Sequence, residues 1–170
     1  MLKNIKHRLG RDDEQGFTLI ELMVVLLIIA ILLAIAIPTF LGARNTANAR
    51  STQENLRNAL TAEQTNWTNT QAFSASLGSI EPSLTWDTAA PTKGGADVLA
   101  TVDANGNVVI QGYAKDGNCY AIEQSNGPSS ATTFTGYYEQ TGACSATAPT
   151  VASPTAATAS GTLGTWSATF

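Results

Sequence analysis

A long apolar run that holds one acidic residue near its start constrains this chain more than any other feature. No side chain between Glu21 and Arg44 is charged. As an α-helix, that stretch would be a rod of roughly 33 Å, at about 1.5 Å per residue. The hydrocarbon core of a bilayer is about 30 Å thick, so the stretch is long enough to span it. The sequence therefore predicts a membrane-spanning helix over about 18–41.

Glu21 is the unusual residue of this run. An ionised side chain in hydrocarbon costs roughly 2.5–3.5 kcal/mol, so such a residue generally has a partner and a function. Basic residues before the run predict a cytoplasmic N-terminus and an exported remainder, because orientation follows the Lys/Arg bias. Those residues are Lys3, Lys6, Arg8 and Arg11.

Two simpler interpretations of the run stay open at this point. A cleaved secretory signal is suggested by Ala34-Ile35-Ala36, which has the small-x-small form of a cleavage site. The run is nevertheless longer than the usual apolar region of about 7–15 residues in such signals, and Pro38 lies just beyond the cut. An ordinary single-pass anchor explains the length of the run but leaves Glu21 unexplained.

The stretch Gly16-Phe17-Thr18-Leu19-Ile20-Glu21, followed by Leu22-Met23-Val24-Val25, resembles the processing signature of type IV pilins and their pseudopilin relatives. The resemblance covers about 3–60. It implies that a prepilin peptidase cuts between Gly16 and Phe17 on the cytoplasmic side. An N-methyltransferase would then methylate the new amino group of Phe17, and the apolar helix would stay in the product.

The resemblance also implies a role for Glu21 in assembly. In the family, this carboxylate pairs with the N-terminal amine of a neighbouring subunit. Two unit charges about 4 Å apart attract by roughly 4 kcal/mol at an effective dielectric near 20. The leader, 1–16, departs from the family's commoner short basic form, because residues 12–15 are acidic or polar.

Beyond the membrane span, the helix is expected to continue to about residue 68. Pro38 removes a backbone donor and crowds the preceding turn, and Gly42 is a second weak point. We expect a kink at these two residues. In pilin-like chains a proline here marks the place where the helix bends, although a plain breaker at the membrane exit explains it equally well.

The second half of the predicted helix is amphipathic. Residues at i, i+3, i+4, i+7 and i+11 share one face, which should pack against a sheet; they are Leu56, Ala59, Leu60, Glu63 and Trp67. Another side of the helix is charged and is expected to face solvent, where ion pairs contribute only tenths of a kcal/mol. It carries Arg50, Glu54 and Arg57.

Residues 69–170 predict one small exported β domain. Apolar and β-branched runs between Gly/Asn/Pro turns predict four strands, at 98–102, 108–110, 119–124 and 132–139. Residues 70–97 are expected to link helix and sheet without a strand. An Ala/Thr/Ser/Pro-rich low-complexity segment at about 146–161 is either a flexible exposed tail or a linker to an expected last strand at 162–170.

The predicted fold class is α+β. A long N-terminal helix, with a membrane-spanning half and an amphipathic half over 17–68, is expected to pack on a small antiparallel β-sheet. Asn66-Trp67-Thr68 matches a glycosylation sequon. Three-residue matches are common, however, and Trp67 is needed for packing.

Cys119 and Cys144 are the two cysteines of the chain, and both fall in the predicted exported part. A pair of cysteines in an oxidising compartment favours a disulfide. In pilins such a bridge staples a loop near the C-terminus. Two free buried thiols are the alternative.

Composition argues against catalysis. The sole histidine, His7, lies in the predicted leader, and no phosphate-binding loop, nucleophile elbow or metal-ligand spacing is present. We therefore expect neither enzymatic activity nor a cofactor, while a calcium-binding loop of the kind that pseudopilins use stays open. Residues 17–170 carry five Lys/Arg against ten Asp/Glu, which argues against electrostatic binding of nucleic acid.

Taken with these residues, the resemblance implies a structural subunit of a bacterial type IV pilus. Such a subunit sits in the cytoplasmic membrane before assembly and in an extracellular filament afterwards, serving adhesion, twitching motility or DNA uptake. Its partners would be copies of itself, the prepilin peptidase and methyltransferase, and the inner-membrane assembly machinery. The alternatives are a pseudopilin of a type II secretion system or a minor pilin, and a membrane-anchored binding domain that does not polymerise.

Overall fold

The computed structural model describes residues 16–104, 106–125, 134–147 and 166–167. One helix and six strands follow in chain order: α1 Leu19–Thr70, β1 Thr85–Trp86, β2 Asp97–Val102, β3 Val108–Tyr113, β4 Asn118–Ser125, β5 Phe134–Thr141 and β6 Trp166–Ser167. Contacts divide the chain into two units, 1–41 and 42–170. Each unit is described by itself.

The first unit is the apolar half of α1. Its leucine, isoleucine and valine side chains are all largely exposed, from 46% for Ile29 to 75% for Leu19. By length and composition, α1 is able to cross a membrane. α1 continues through Pro38 and Gly42. The kink expected at these two residues stays a prediction.

The second unit contains the sheet, whose strands lie in the order β1-β2-β3-β4-β5-β6. β2 to β6 pair antiparallel, as predicted. β1 pairs parallel with β2 through Thr85↔Asp97 and Trp86↔Val98, which makes the sheet mixed. The sequence predicted no strand at β1, because two residues are too short for a visible period-2 pattern.

The second half of α1 packs on one face of the sheet, and the predicted helix face is confirmed. Leu56 and Ala59 are fully buried, and Leu60 is nearly so. Trp67 packs at the margin of the core. The strands contribute the rest of this core, with Val98, Ala100, Val108, Ile110, Tyr120 and Ile122. The predicted α+β arrangement, a helix laid on a small sheet, is thus confirmed.

The four predicted strands are all present with shifted ends. β3 and β4 extend beyond the predicted 108–110 and 119–124, and β5 begins at Phe134. Residues 132–133 lie outside the described part of the chain, as does most of the low-complexity segment at 146–161. Of the expected last strand at 162–170, Trp166 and Ser167 are described, and they pair with β5.

Helix and sheet approach each other closely at Gly112 of β3. A Cβ atom placed on Gly112 would lie 2.9 Å from Thr52 Cγ2 and 3.4 Å from Leu56 Cδ2. Thr52 is itself buried. A side chain at this position would therefore force Thr52 or the helix to shift.

Candidate functional site

The residues predicted to carry processing and assembly lie at the start of α1. Gly16, Phe17 and Thr18 precede the helix and are exposed, and a Cβ on Gly16 would meet no atom within 4 Å. Among the described residues, the peptide at Gly16 and Phe17 is thus exposed and not helical. A peptide of this kind is accessible to a protease.

Glu21 takes part in a reciprocal capping box with Thr18. The Thr18 N–H and hydroxyl both donate to Glu21 Oε2, at 2.9 Å and 2.8 Å, and the Glu21 N–H donates to Thr18 Oγ1 at 3.2 Å. Thr18 is the N-cap, and Glu21 stands three residues later, where the S/T-x-x-E pattern places its acid. Glu21 thus has Thr18 as a local partner. This partner was not predicted, although the Thr-x-x-Glu pattern is present in the sequence.

The capping box has an electrostatic consequence. The N-terminal end of a helix carries a partial positive charge, which favours a carboxylate in the first turn. Glu21 is the acidic residue of the first turn of α1. The Glu21 carboxylate keeps further acceptor capacity beside its two Thr18 donors, because one carboxylate accepts several hydrogen bonds.

The disulfide between Cys119 and Cys144 is present. It joins β4 to the segment that follows β5, and the Gln111 side-chain amide donates to the Ser145 carbonyl beside it at 3.3 Å. The disulfide and this hydrogen bond both hold the segment after β5 to the sheet. The alternative of two free thiols is wrong.

A polar cluster around Tyr120 is a second feature that was not predicted. The Tyr120 hydroxyl lies 2.9 Å from Asp116 Oδ2 and 3.1 Å from Glu139 Oε1. The Asn118 side-chain amide donates to the same Glu139 oxygen at 3.1 Å. Burial, the largest cause, raises the pKa of the Tyr120 phenol well above its ordinary value. The cluster satisfies the one polar atom of a core tyrosine.

Two further sequence signals have plain structural roles. The Asn66 side-chain amide of the sequon donates to the Ala72 carbonyl at 2.8 Å, so it helps to end α1. Arg57 and Glu54, on the predicted solvated side, form an exposed ion pair with Nη1 and Oε2 3.8 Å apart. Among the residues that the structure describes, no group of three or more metal-ligating acids, histidines or cysteines occurs.

Comparisons with known proteins show what this chain is similar to. The family profile for the prokaryotic N-terminal methylation motif matches residues 11–37. The type IV wide pilus major component PilA4 of Thermus thermophilus is 41% identical over 72 residues, which is 39% of this chain and 55% of that protein. The chain thus spans about half the length of this relative. No solved structure matches the chain. This chain therefore matches the prokaryotic N-terminal methylation motif and is similar, over 72 residues, to the major component of a type IV pilus.

Proposed function

We propose that this chain is a structural subunit of a type IV pilus and polymerises through the apolar half of α1. The observation that carries the proposal is the apolar half itself, which exposes its side chains from Phe17 to Leu41. A contiguous apolar surface of this size marks a membrane or protein contact. A hydrocarbon bilayer before assembly and packed copies of the same helix afterwards would cover it in turn.

The proposal includes processing at the N-terminus. A prepilin peptidase removes the leader, 1–16, by cutting between Gly16 and Phe17, and an N-methyltransferase then methylates Phe17. The exposed, non-helical backbone of Gly16 and Phe17 supports this step. Helix 17–68, crossing the membrane at about 18–41, and the β domain, 69–170, form the product. The basic residues of the leader favour a cytoplasmic N-terminus and an exported β domain.

Assembly then depends on the charge of Glu21. Its carboxylate would accept a hydrogen bond from the methylated amine of Phe17 in a neighbouring copy. This bond would add to the two that it already accepts from Thr18. The inner-membrane assembly machinery would supply the neighbouring copies. In this function the protein is structural rather than enzymatic.

The capping box allows the two roles of Glu21 to be separated by mutation. Glu21→Gln keeps a side chain that can cap the helix but removes the charge. Glu21→Ala removes both. Thr18→Val removes the hydroxyl of the box and leaves the charge in place.

We expect all three variants to be cleaved. Filament yield should fall at least about tenfold in Glu21→Gln and Glu21→Ala, because losing about 1.4 kcal/mol at each contact between subunits changes the equilibrium constant of association tenfold. Thr18→Val should retain most of its filaments. Yield is measured as sheared pilin per cell by immunoblot. Normal filaments from Glu21→Gln would show that Glu21 only caps the helix.

Intact-mass spectrometry with N-terminal sequencing of sheared filaments tests the function as a whole. The expected species begins at methylated Phe17 and contains the disulfide. The same species found only in the membrane fraction would favour a pseudopilin or a minor pilin instead. A start after Ala36, or an unprocessed chain, would contradict the proposal.

A further inference from the structure

Glu63 is an acidic residue that α1 turns into the core of the second unit. It has no solvent-exposed surface. Its Oε2 accepts one hydrogen bond, from the Ser74 N–H at 3.0 Å. Its Oε1 is buried and finds no hydrogen-bond partner among the described residues.

This environment suits a neutral carboxyl group better than a charged one. A neutral carboxyl can accept the Ser74 N–H through its carbonyl oxygen and leaves one polar atom unsatisfied. An ionised carboxylate would place a full charge in the core with a single donor, which is far more costly. Burial, the largest cause, accordingly raises the pKa of Glu63 from its ordinary value of 4.5 to about 7, against the lowering effect of the Ser74 N–H.

Few charged groups lie close enough to Glu63 to stabilise an ionised carboxylate there. The strands under this part of α1 present the uncharged core residues Val98, Ala100, Val108, Ile110 and Ile122. Tyr120 is titratable and contacts Asp116 and Glu139. It pairs with Gly112 across the sheet and so lies near Thr52. That is eleven residues, or roughly 16 Å, from Glu63 along the helix. Other charged groups of the packed elements lie on exposed helix positions, in connections, at strand ends or on the opposite sheet face: Glu54, Arg57, Glu81, Asp87, Asp97, Asp103 and Glu123.

Ser74 belongs to the segment that turns back over α1. Gln71 starts this segment with a positive φ of 57°, a conformation that a non-glycine residue rarely adopts. Phe73 packs on Trp67 with the ring planes tilted by 37° and the centroids 4.7 Å apart, and Leu77 is buried at the far end. The bond from Ser74 to Glu63 is the polar contact between these two apolar anchors.

The same segment forms one wall of a groove of about 640 Å³. Phe73, Ser74 and Ala75 line this groove, together with the β2 residues from Leu99 to Val102 and with Asp87, Thr88 and Ala146. Movement of the segment would therefore change the lining of the groove.

We propose that Glu63 is a proton-dependent latch, which holds the segment Gln71–Leu77 closed over α1 when its carboxyl group is neutral and releases it when the group is ionised. Release would let water reach both carboxylate oxygens. The latch does not depend on polymerisation, because all of its groups lie in the second unit.

Hydrogen exchange tests the latch in the full chain, solubilised in detergent micelles with its disulfide intact. Protection of the peptide covering residues 71–77 is measured between pH 6 and pH 8.5 and corrected for the intrinsic pH dependence of exchange. If the carboxyl titrates at its ordinary value when open and near pH 7 when closed, protection should fall about tenfold over this interval. A peptide from β3 should stay protected throughout.

Glu63→Gln keeps the acceptor for Ser74 and cannot ionise, so its protection should change less than about twofold over the same interval. Glu54→Gln, an exposed acid on the same helix, is the matched control and should behave like the parent chain. Constant protection in the parent chain would overturn the proposal, whether or not the variants fold. An unchanged pH course in Glu63→Gln would overturn it as well.

Discussion

Two glutamates of α1 show how much the surroundings of a side chain decide its role. Glu21 lies exposed at the start of the helix, bound to Thr18, whereas Glu63 is fully buried with a single donor. The Thr18-x-x-Glu21 pattern can be read from the sequence as a capping box. Helical spacing also places Glu63 on the packing face, but the depth of its burial depends on Gln71–Leu77, a segment with no periodic signal.

Gly112 offers the sharpest test of packing at the residue scale. We expect Gly112→Ala to lower the free energy of unfolding by about 1–3 kcal/mol, since its Cβ would overlap Thr52 Cγ2 and force the helix away from β3. The measurement is urea unfolding of the detergent-solubilised chain, followed by tryptophan fluorescence.

Gly78→Ala is the control for that substitution. A Cβ at Gly78 meets Trp86 Cδ1 at an ordinary 3.8 Å, and the glycine has no positive φ. Its unfolding free energy should change by less than about 0.5 kcal/mol. Equal effects of the two substitutions would contradict the close approach at Gly112.

At the scale of elements, the sequence was most informative where a pattern repeated over many residues. Helical spacing identified the buried face of α1, and β-branched runs between turns identified β2 to β5. β1 was not predicted because Thr85 and Trp86 are too few to show an alternation of apolar and polar side chains. Their pairing with β2 depends on the path of the connection between α1 and β1. Strand ends were misplaced by up to three residues, since pairing in the sheet, rather than local propensity, decides where a strand stops.

The disulfide is the covalent link between elements of the β domain. Cys119 and Cys144 are separated by 25 residues. Closing a loop of this size stabilises the fold by about 3.5 kcal/mol on loop-entropy grounds. Reduction should therefore lower the urea midpoint of the detergent-solubilised chain.

The double variant Cys119→Ala/Cys144→Ala should unfold at the midpoint of the reduced parent chain and should not respond to reductant. Intact mass before unfolding verifies the redox state of each sample. If reduction leaves the midpoint of the parent chain in place, the bridge contributes nothing to stability.

At the scale of the whole molecule, Glu63 should make the free energy of unfolding depend on pH in an unusual direction for an acid. Its pKa is higher in the folded chain, at about 7, than its ordinary value of 4.5. The folded state therefore binds the proton more tightly, and the contribution of Glu63 is fully present below about pH 4.5. It is lost as the pH rises to about 7 and is constant above that, a total of roughly 3 kcal/mol at most.

The measurement is the difference in unfolding free energy between the parent chain and Glu63→Gln at several pH values. Taking the difference removes the contributions of the other carboxylates, which usually have the opposite sign. We expect the parent chain to lose stability relative to the variant between about pH 4.5 and pH 7. A difference that is independent of pH would show that Glu63 is ionised in the folded chain.

The short outer strands have a consequence for domains that lie close to one another. In the described sheet, β1 and β6 form the two margins, and each pairs through only two residues. A long, straight margin would be a template on which a neighbouring chain could add a strand. Because β1 pairs through two residues, this margin of the described sheet offers a neighbouring domain only a short template on which to add a strand.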